Sequence, residues 1–235
     1  MGVDGSACAA AALRWGLREA QLRRCEMVAV MAWDYLGQHH ADGSTTFDPD
    51  YDAHAAEEAL DNFVTAAVGA TDRERVSTEL IFDLPARGMV QASQSASLLV
   101  LGARGQGGFK ELLLGSVSQR ALHHATCPVV IVRTPTTGDM SEHGRIVVGV
   151  DGSPAGDAAL RWAGQEAQIR GAELRVVHAA PSAYVDSPLP DPVRVIDVVQ
   201  REANAVLEQA ILRCDLPASV KIDPVAADGS PAKAL

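Results

Sequence analysis

Residues 2–32 recur, without a gap, as residues 149–179. The stretches GVDGSACAAAALRWGLREAQLRRCEMVAVMA and GVDGSPAGDAALRWAGQEAQIRGAELRVVHA are offset by 147 and agree at 17 of 31 positions. Self-similarity at so long a period means that one supersecondary unit has been used twice. That single fact restricts the chain to folds that can be built in tandem. Between the copies, residues 134–144 (TPTTGDMSEHG) carry the Pro, Gly, Ser and Thr content of a linker, so domains are expected at 1–133 and 145–235.

Within the first copy, apolar runs at 26–33, 76–82, 98–102 and 129–133 alternate with helical patterns at 7–24, 52–69, 85–95 and 116–125. Several of the runs are apolar throughout, as strands buried on both faces are. Strand–helix alternation predicts a parallel sheet with right-handed crossovers and helices on both faces. The polar stretch 35–51 reads as a long mobile loop. In the second copy, strands are expected at 145–151, 173–179 and 219–225, with helices at 154–170 and 192–213. Pro85-Ala86-Arg87 matches Pro231-Ala232-Lys233 at an offset of 146, so Leu235 corresponds to Met89. A second copy as long as the first would end near residue 279 (133 plus 146), and the second copy is expected to be incomplete. At the front, Arg145-Ile146-Val147-Val148 precedes Gly149 but only Met1 precedes Gly2, leaving the first strand of copy one a stub.

Composition narrows the partners. Thirty acidic against 20 basic residues give a net charge of −10 over 235 residues, a field that repels nucleic-acid backbones and anionic membranes. No run approaches the roughly 18 apolar residues of a membrane span. MGVDGSAC lacks the basic and apolar regions of a secretory signal, so a cytoplasmic protein is expected. Cys8, Cys25, Cys127 and Cys214 stand far apart and are expected to be reduced, mostly buried thiols.

The densest chemistry lies in LLVLGARGQGGFKELLLGSVSQRAL, residues 98–122. A buried strand runs into Gly102, Gly105, Gly107 and Gly108, and Gly115-Ser116 then opens a helix. Glycines let a ligand approach the backbone, and a helix start offers unpaired N–H groups and partial positive charge, which suits phosphate. A P-loop is excluded, because Gly108 stands where its Lys belongs. The dinucleotide fingerprint fails too: started at Gly105, it meets Lys110 in place of its third glycine. His39-His40 and His123-His124 lack acidic or thiol partners at ligand spacing, and no side-chain metal site is expected. Trp15 and Trp162 occupy equivalent helix positions and read as core; Ser6 and Ser153 have no identifiable His–carboxylate pair, so no catalytic residue is assigned.

These residues resemble the universal stress protein family. Its ATP-binding members carry G-x2-G-x9-G-[ST], and Gly102, Gly105, Gly115 and Ser116 fit it residue for residue. L-L-G-S-V-S, the C-P-V-V-I-V of 127–132 and V-D-G-S are also similar to the family, and the likeness covers nearly the whole chain as two tandem domains. The resemblance implies an α/β fold of two open five-stranded-type parallel sheets, order 3-2-1-4-5, with helices on both faces. It places ATP beyond the carboxyl ends of strands 1 and 4. Asp4 would then contact adenosine, Met31 and Ala32 would border adenine, and Leu101 and Gly102 would continue that wall. The Gly105 amide, with the amides and hydroxyls of Gly115, Ser116, Val117 and Ser118, would take the phosphates; Arg104 would add charge. Mg2+ would be held by phosphates and water.

Asp4 also has a local reading, capping a turn with Ser6. Copy two repeats the Asp151-Gly152-Ser153 constellation but has no glycine-rich loop within the sequence, so no complete nucleotide site is expected there. The leading expectation is an ATP-binding regulatory protein of stress response, at most a very slow ATPase, since Arg104 and Lys110 lie near the phosphate amides without an obvious base. The alternatives are a dimeric interaction scaffold without nucleotide, a cyclic-nucleotide binder, or adenylyl-transfer or hydrolase chemistry on the same fold. The resemblance further implies pairing of the last strand, Val129 to Val132, with another such strand, giving a homodimer or a pseudo-dimer.

Overall fold

The computed structural model describes residues 1–40, 46–106, 113–133, 144–180 and 192–235, the last of these without the side chains of 192–197. The chain divides into two compact units, Met1–Asp139 and Met140–Leu235. Most of the linker expected at 134–144 lies outside the described residues, as do Gly107, Gly108, Lys110 and Glu111.

In the first unit the elements run α1 (Ala7–Arg23), β1 (Met27–Trp33), α2 (Ala53–Val68), α3 (Ala70–Arg73), β2 (Val76–Phe82), α4 (Pro85–Ala92), β3 (Leu99–Gly102), α5 (Ser116–His124) and β4 (Val129–Val132). Each boundary has a local cause. Ser6 caps α1, its hydroxyl accepting from Ala9 N–H at 3.1 Å, and Asp52 caps α2 through Ala55 N–H at 3.0 Å. Pro85 opens α4 at a position that needs no N–H.

β1 pairs with β2, and β3 with β4, in parallel. Between these two ladders, the strand expected from the resemblance is represented by Gly2 and Val3 alone. The stub nevertheless links them: Gly2 N–H donates to Val100 O at 3.0 Å, and Val3 N–H to Val30 O at 2.9 Å. β1 shows why helices cover both faces. Met27, Ala29 and Met31 pack with Leu13 and Leu17 of α1 and Leu60 and Val64 of α2. Val30 and Ala32 pack with Met89 of α4 and Ala121 of α5. Successive strand residues point to opposite faces, so one apolar run feeds two cores.

The stretch expected to be a mobile loop is pinned at both ends. Gln38 Nε2 donates to Asp48 O at 2.6 Å while its Oε1 accepts from Asp48 N–H at 2.8 Å. Tyr51 is 2% exposed and packs with Trp33 and Ala56. The aromatic ring that ends the stretch is what holds it down.

The second unit comprises β5 (Arg145–Gly149), α6 (Pro154–Arg170), β6 (Glu173–Ala180), α7 (Pro192–Cys214), β7 (Ile222–Asp228) and the short α8 (Pro231–Ala234). Its three parallel strands stand in the order β5-β6-β7, and α6 and α7 close one core over Leu174 and Val176. Two expectations fail here and in the first unit. Only Cys214 of the four free cysteines is buried, Cys25 being exposed and the others half-buried. Trp15 and Trp162 are half-buried, outside the core clusters, because the deep positions on α1 and α6 go to Leu13 and Leu160. Among the described residues, no helix is long and apolar enough to cross a membrane.

Candidate functional site

The carboxyl ends of the stub, β1 and β3 converge on the start of α5, and between them opens a cleft of about 580 Å³. That volume lies within the range of small-ligand sites, roughly 300–1,000 Å³. Its floor is apolar at one end, where Ala32, Met89 and Leu101 meet, and at the other it is backbone.

That backbone end follows from the sequence around Gly115. Gly115 is the N-cap of α5, with φ −75° and ψ 161°, and its own N–H donates to Ala103 O at 2.8 Å. The helix therefore begins locked to the end of β3. The N–H groups of Ser116, Val117 and Ser118 have no intrahelical acceptor, and a helix start attracts anions for that reason. Ser118 is 3% exposed and its hydroxyl donates to Gly102 O at 2.8 Å, so that proton is already used within the protein. Ser116 is exposed, and its hydroxyl borders the cleft.

Asp4 sits opposite. Its Oδ1 accepts Ser6 N–H at 3.0 Å and its Oδ2 accepts Gln106 N–H at 3.3 Å. The carboxylate thus ties the stub to the loop that follows β3. The Asp4–Ser6 turn is a property of the V-D-G-S sequence: Asp151 Oδ1 likewise accepts Ser153 N–H at 2.9 Å, and Gly5 and Gly152 take φ of 78° and 79°. Only glycine adopts that left-handed region freely. The Ser153 hydrogen bonds hold the Asp151 carboxyl below its usual range.

The glycines of the motif do different work. A Cβ on Gly102 would meet the α1 backbone, with Cys8 C at 2.8 Å and Ala9 N at 3.0 Å. Gly102 therefore permits α1 to close against β3. A Cβ on Gly105 would overlap Asp4 Oδ2. At Gly115 the nearest atom is Arg104 Cα at 3.5 Å, ordinary contact.

Asp4, Ala32, Leu101, Gly102, Arg104, Gly105, Gly115, Ser116, Val117 and Ser118 all line this cleft. Met31 does not. It alternates with Ala32 on β1 and faces α1 and α2, where it borders a separate chamber. The residues that sequence reasoning missed are Gly2, Val3, Ala9, Pro85, Met89, His39 and Gln106. Pro85 and Met89 follow from the packing of α4 on β1, and Gln106 from the Asp4 contact. Burial holds the His39 imidazole below the usual histidine range, against the pull of Asp4 and Asp34. His123 and His124 lie on the exposed last turn of α5.

Comparison with known proteins agrees with this architecture. The profile of the Universal stress protein family matches residues 1–133 and 142–235. A universal stress protein of Mycolicibacterium smegmatis is 35% identical over 186 residues, 76% of this chain and 62% of its own length. Universal stress protein Rv2005c of Mycobacterium tuberculosis is 33% identical over 187 residues, again 76% and 62%. The chain thus spans 62% of the length of these curated relatives. A crystal structure of a universal stress protein from Archaeoglobus fulgidus superposes with a TM-score of 0.54 at 22% identity, covering 99% of this chain and 77% of that one, and shows the fold. With both segments matched in sequence, the chain belongs to the universal stress protein family as two tandem copies of its domain.

Proposed function

We infer that the first unit is a nucleotide-sensing module of a stress-response protein, with ATP in the 580 Å³ cleft. The observation that carries this reading is the juxtaposition, in one cleft, of three unpaired N–H groups at the start of α5 and an apolar slot between Ala32, Met89 and Leu101. The N–H groups suit phosphate, and the slot suits the faces of a base. Arg104 and the Ser116 hydroxyl add polar contacts at the same end. Mg2+ would be held by the phosphates and water.

Binding without rapid turnover is the better-supported form of this reading. Asp4 is the one carboxylate among the described lining residues, and both its oxygens already accept backbone N–H groups. Phosphoryl transfer needs a positioned base and metal-holding carboxylates, and this one carboxylate is engaged in fixing the stub to the loop after β3. Calorimetry with ATP·Mg2+ tests occupancy, with micromolar affinity expected, about −8 kcal/mol. Absence of heat at tens of micromolar protein rejects the reading. Turnover above about 0.1 per second in single-turnover hydrolysis, against an enzyme median of roughly 10 per second, rejects the binding-module form of it.

Association belongs to the same proposal. Pro128 O and Val132 O accept from Leu99 and Ala103, so the polar groups of Val129 and Ile131, which alternate with them, face away from β3. Among the described residues that edge has no partner strand. An apolar edge of this kind recruits another strand, most simply from a second copy.

A further inference from the structure

The second concavity of the first unit has no part in the nucleotide reading. It is a chamber of about 340 Å³ on the α1/α2 face of β1. Met31, Ala59 and Phe63 form apolar walls, the exposed Phe47 adds to them, and His39 and His40 supply polar groups. Ala59 and Phe63 stand one turn apart on α2, so their side chains share a face. The alternation of Met31 and Ala32 on β1 puts chamber and cleft on opposite faces of the same strand end.

Three observations bear on what the chamber holds. First, none of its described lining residues is Asp, Glu, Lys or Arg; its polar groups are amides, a hydroxyl and imidazoles. An anionic ligand there would lose hydration without gaining a counter-charge from these residues. Second, His39 Nδ1 and His40 Nε2 are both buried and have no hydrogen-bond partner among the described residues. Buried polar groups are overwhelmingly paired, so two orphans bordering one chamber call for a missing partner. Third, the segment that carries the imidazoles is held in place. Tyr51 Oη accepts His39 N–H at 3.0 Å and donates to His39 O at 2.8 Å, and the His40 ring meets Tyr51 edge-on at 5.2 Å. Burial lowers the proton affinity of the His39 imidazole.

The geometry points to a second ligand site: the chamber takes a small uncharged aromatic molecule with hydrogen-bonding groups, His39 and His40 serving as polar partners, while the cleft holds its own ligand. The apolar walls of Met31, Phe47 and Phe63 favour an aromatic ring, through thioether–ring and edge-to-face contacts. The volume, near the lower end of ligand sites, suits a molecule of one ring. His39 and Gln106 border both spaces and form the wall between them. The proposal goes beyond the nucleotide reading and does not depend on it.

Resorcinol, an uncharged ring with two hydroxyls, is the probe, followed by amide shifts of the whole chain in heteronuclear NMR with and without saturating ATP. Saturable shifts at Met31, Ala59 and Phe63 are expected, with a dissociation constant of about 1 mM for so small a molecule. The constant should change less than about twofold when ATP is present, because the two spaces lie on opposite faces. Benzoate, the same ring with a carboxylate, should bind roughly tenfold more weakly or not at all. Ala66→Trp, at the exposed end of the chamber, should abolish the resorcinol shifts and leave the ATP response intact. The inference is overturned by the absence of saturable shifts at these three residues, by equal binding of benzoate, by displacement of resorcinol with ATP, or by unchanged resorcinol shifts in Ala66→Trp. Resorcinol binding in a chain that ignores ATP would refute the nucleotide reading alone.

Discussion

Gly115→Ala and Gly102→Ala separate the ligand-facing glycine of the phosphate motif from the one that packs the fold. At Gly115, φ of −75° and ψ of 161° suit any residue, and the added methyl meets only Arg104 Cα at 3.5 Å, Ala103 O at 3.6 Å and Gly105 N at 3.7 Å. Alanine caps a helix less well than glycine by a few tenths of a kcal/mol or more. Against that, removing a glycine lowers the entropy of the unfolded chain, a gain of about 0.4–1 kcal/mol. The net effect on stability should stay within about 0.5 kcal/mol. The methyl does stand beside the Gly105 N–H, at the mouth of the α5 start. Denying an anionic oxygen one charge-assisted hydrogen bond costs about 1.5–3 kcal/mol, so ATP should bind roughly ten- to hundredfold more weakly. Gly102→Ala should do the reverse. Its methyl would sit 2.8 Å from Cys8 C and 3.0 Å from Ala9 N, backbone that cannot swing aside. Overpacking of this kind costs about 1–3 kcal/mol, a fall in melting temperature of about 3–10 °C. Calorimetric melting and ATP titration of both variants give the assay. A Gly115→Ala protein that melts like the parent and binds ATP as tightly refutes the placement of phosphate at α5.

Other expectations follow from single contacts. Arg24 ends α1 at φ 53°, where the repeat-equivalent Gly171 ends α6 at φ 61°; Arg24→Gly should therefore stabilise the chain by about 0.5–1 kcal/mol, and an unchanged or lower melting temperature contradicts this. Arg213 holds the Asp157 carboxyl below its usual range through hydrogen bonds of 3.0 and 2.9 Å. A carboxylate with a depressed folded pKa contributes stability above its ordinary pKa and loses it as pH falls through the folded value; Arg213→Leu should flatten that acid limb of the second unit's stability curve, and an unaltered limb rejects the assignment. Ile131→Pro removes a donor from the open edge of β4 while sparing the β3 ladder; sedimentation should show weaker self-association than the parent, and a parent already monomeric at tens of micromolar defeats the idea.

What the sequence disclosed was what depends on short-range pattern. α6 was legible to the residue because Ser153, Pro154 and Gly171 punctuate both of its ends. β2 coincides with its apolar run, and the repeat alone implied that the Asp4 and Asp151 turns would match. Positions whose meaning is set by a partner far along the chain were not legible. Met31 and Ala32 are both apolar at one strand end, and only the helices packed on each face decide which of them meets the cleft. Nothing near His39 shows that Tyr51, twelve residues on, clamps its backbone. The roles of Gly102 and Gly115 look alike in a motif and differ because α1 crosses one and not the other.

In the proposed complex, phosphate meets the start of α5 while the base lies between Ala32 and Leu101. Amide shifts recorded with ATP·Mg2+ and, separately, with adenosine test it most directly. Both ligands should shift Ala32 and Leu101, and only ATP should move Ser116, Val117 and Ser118, downfield as N–H groups do on meeting an anion. Equal shifts at Ser116–Ser118 with adenosine, or none there with ATP bound, would contradict it.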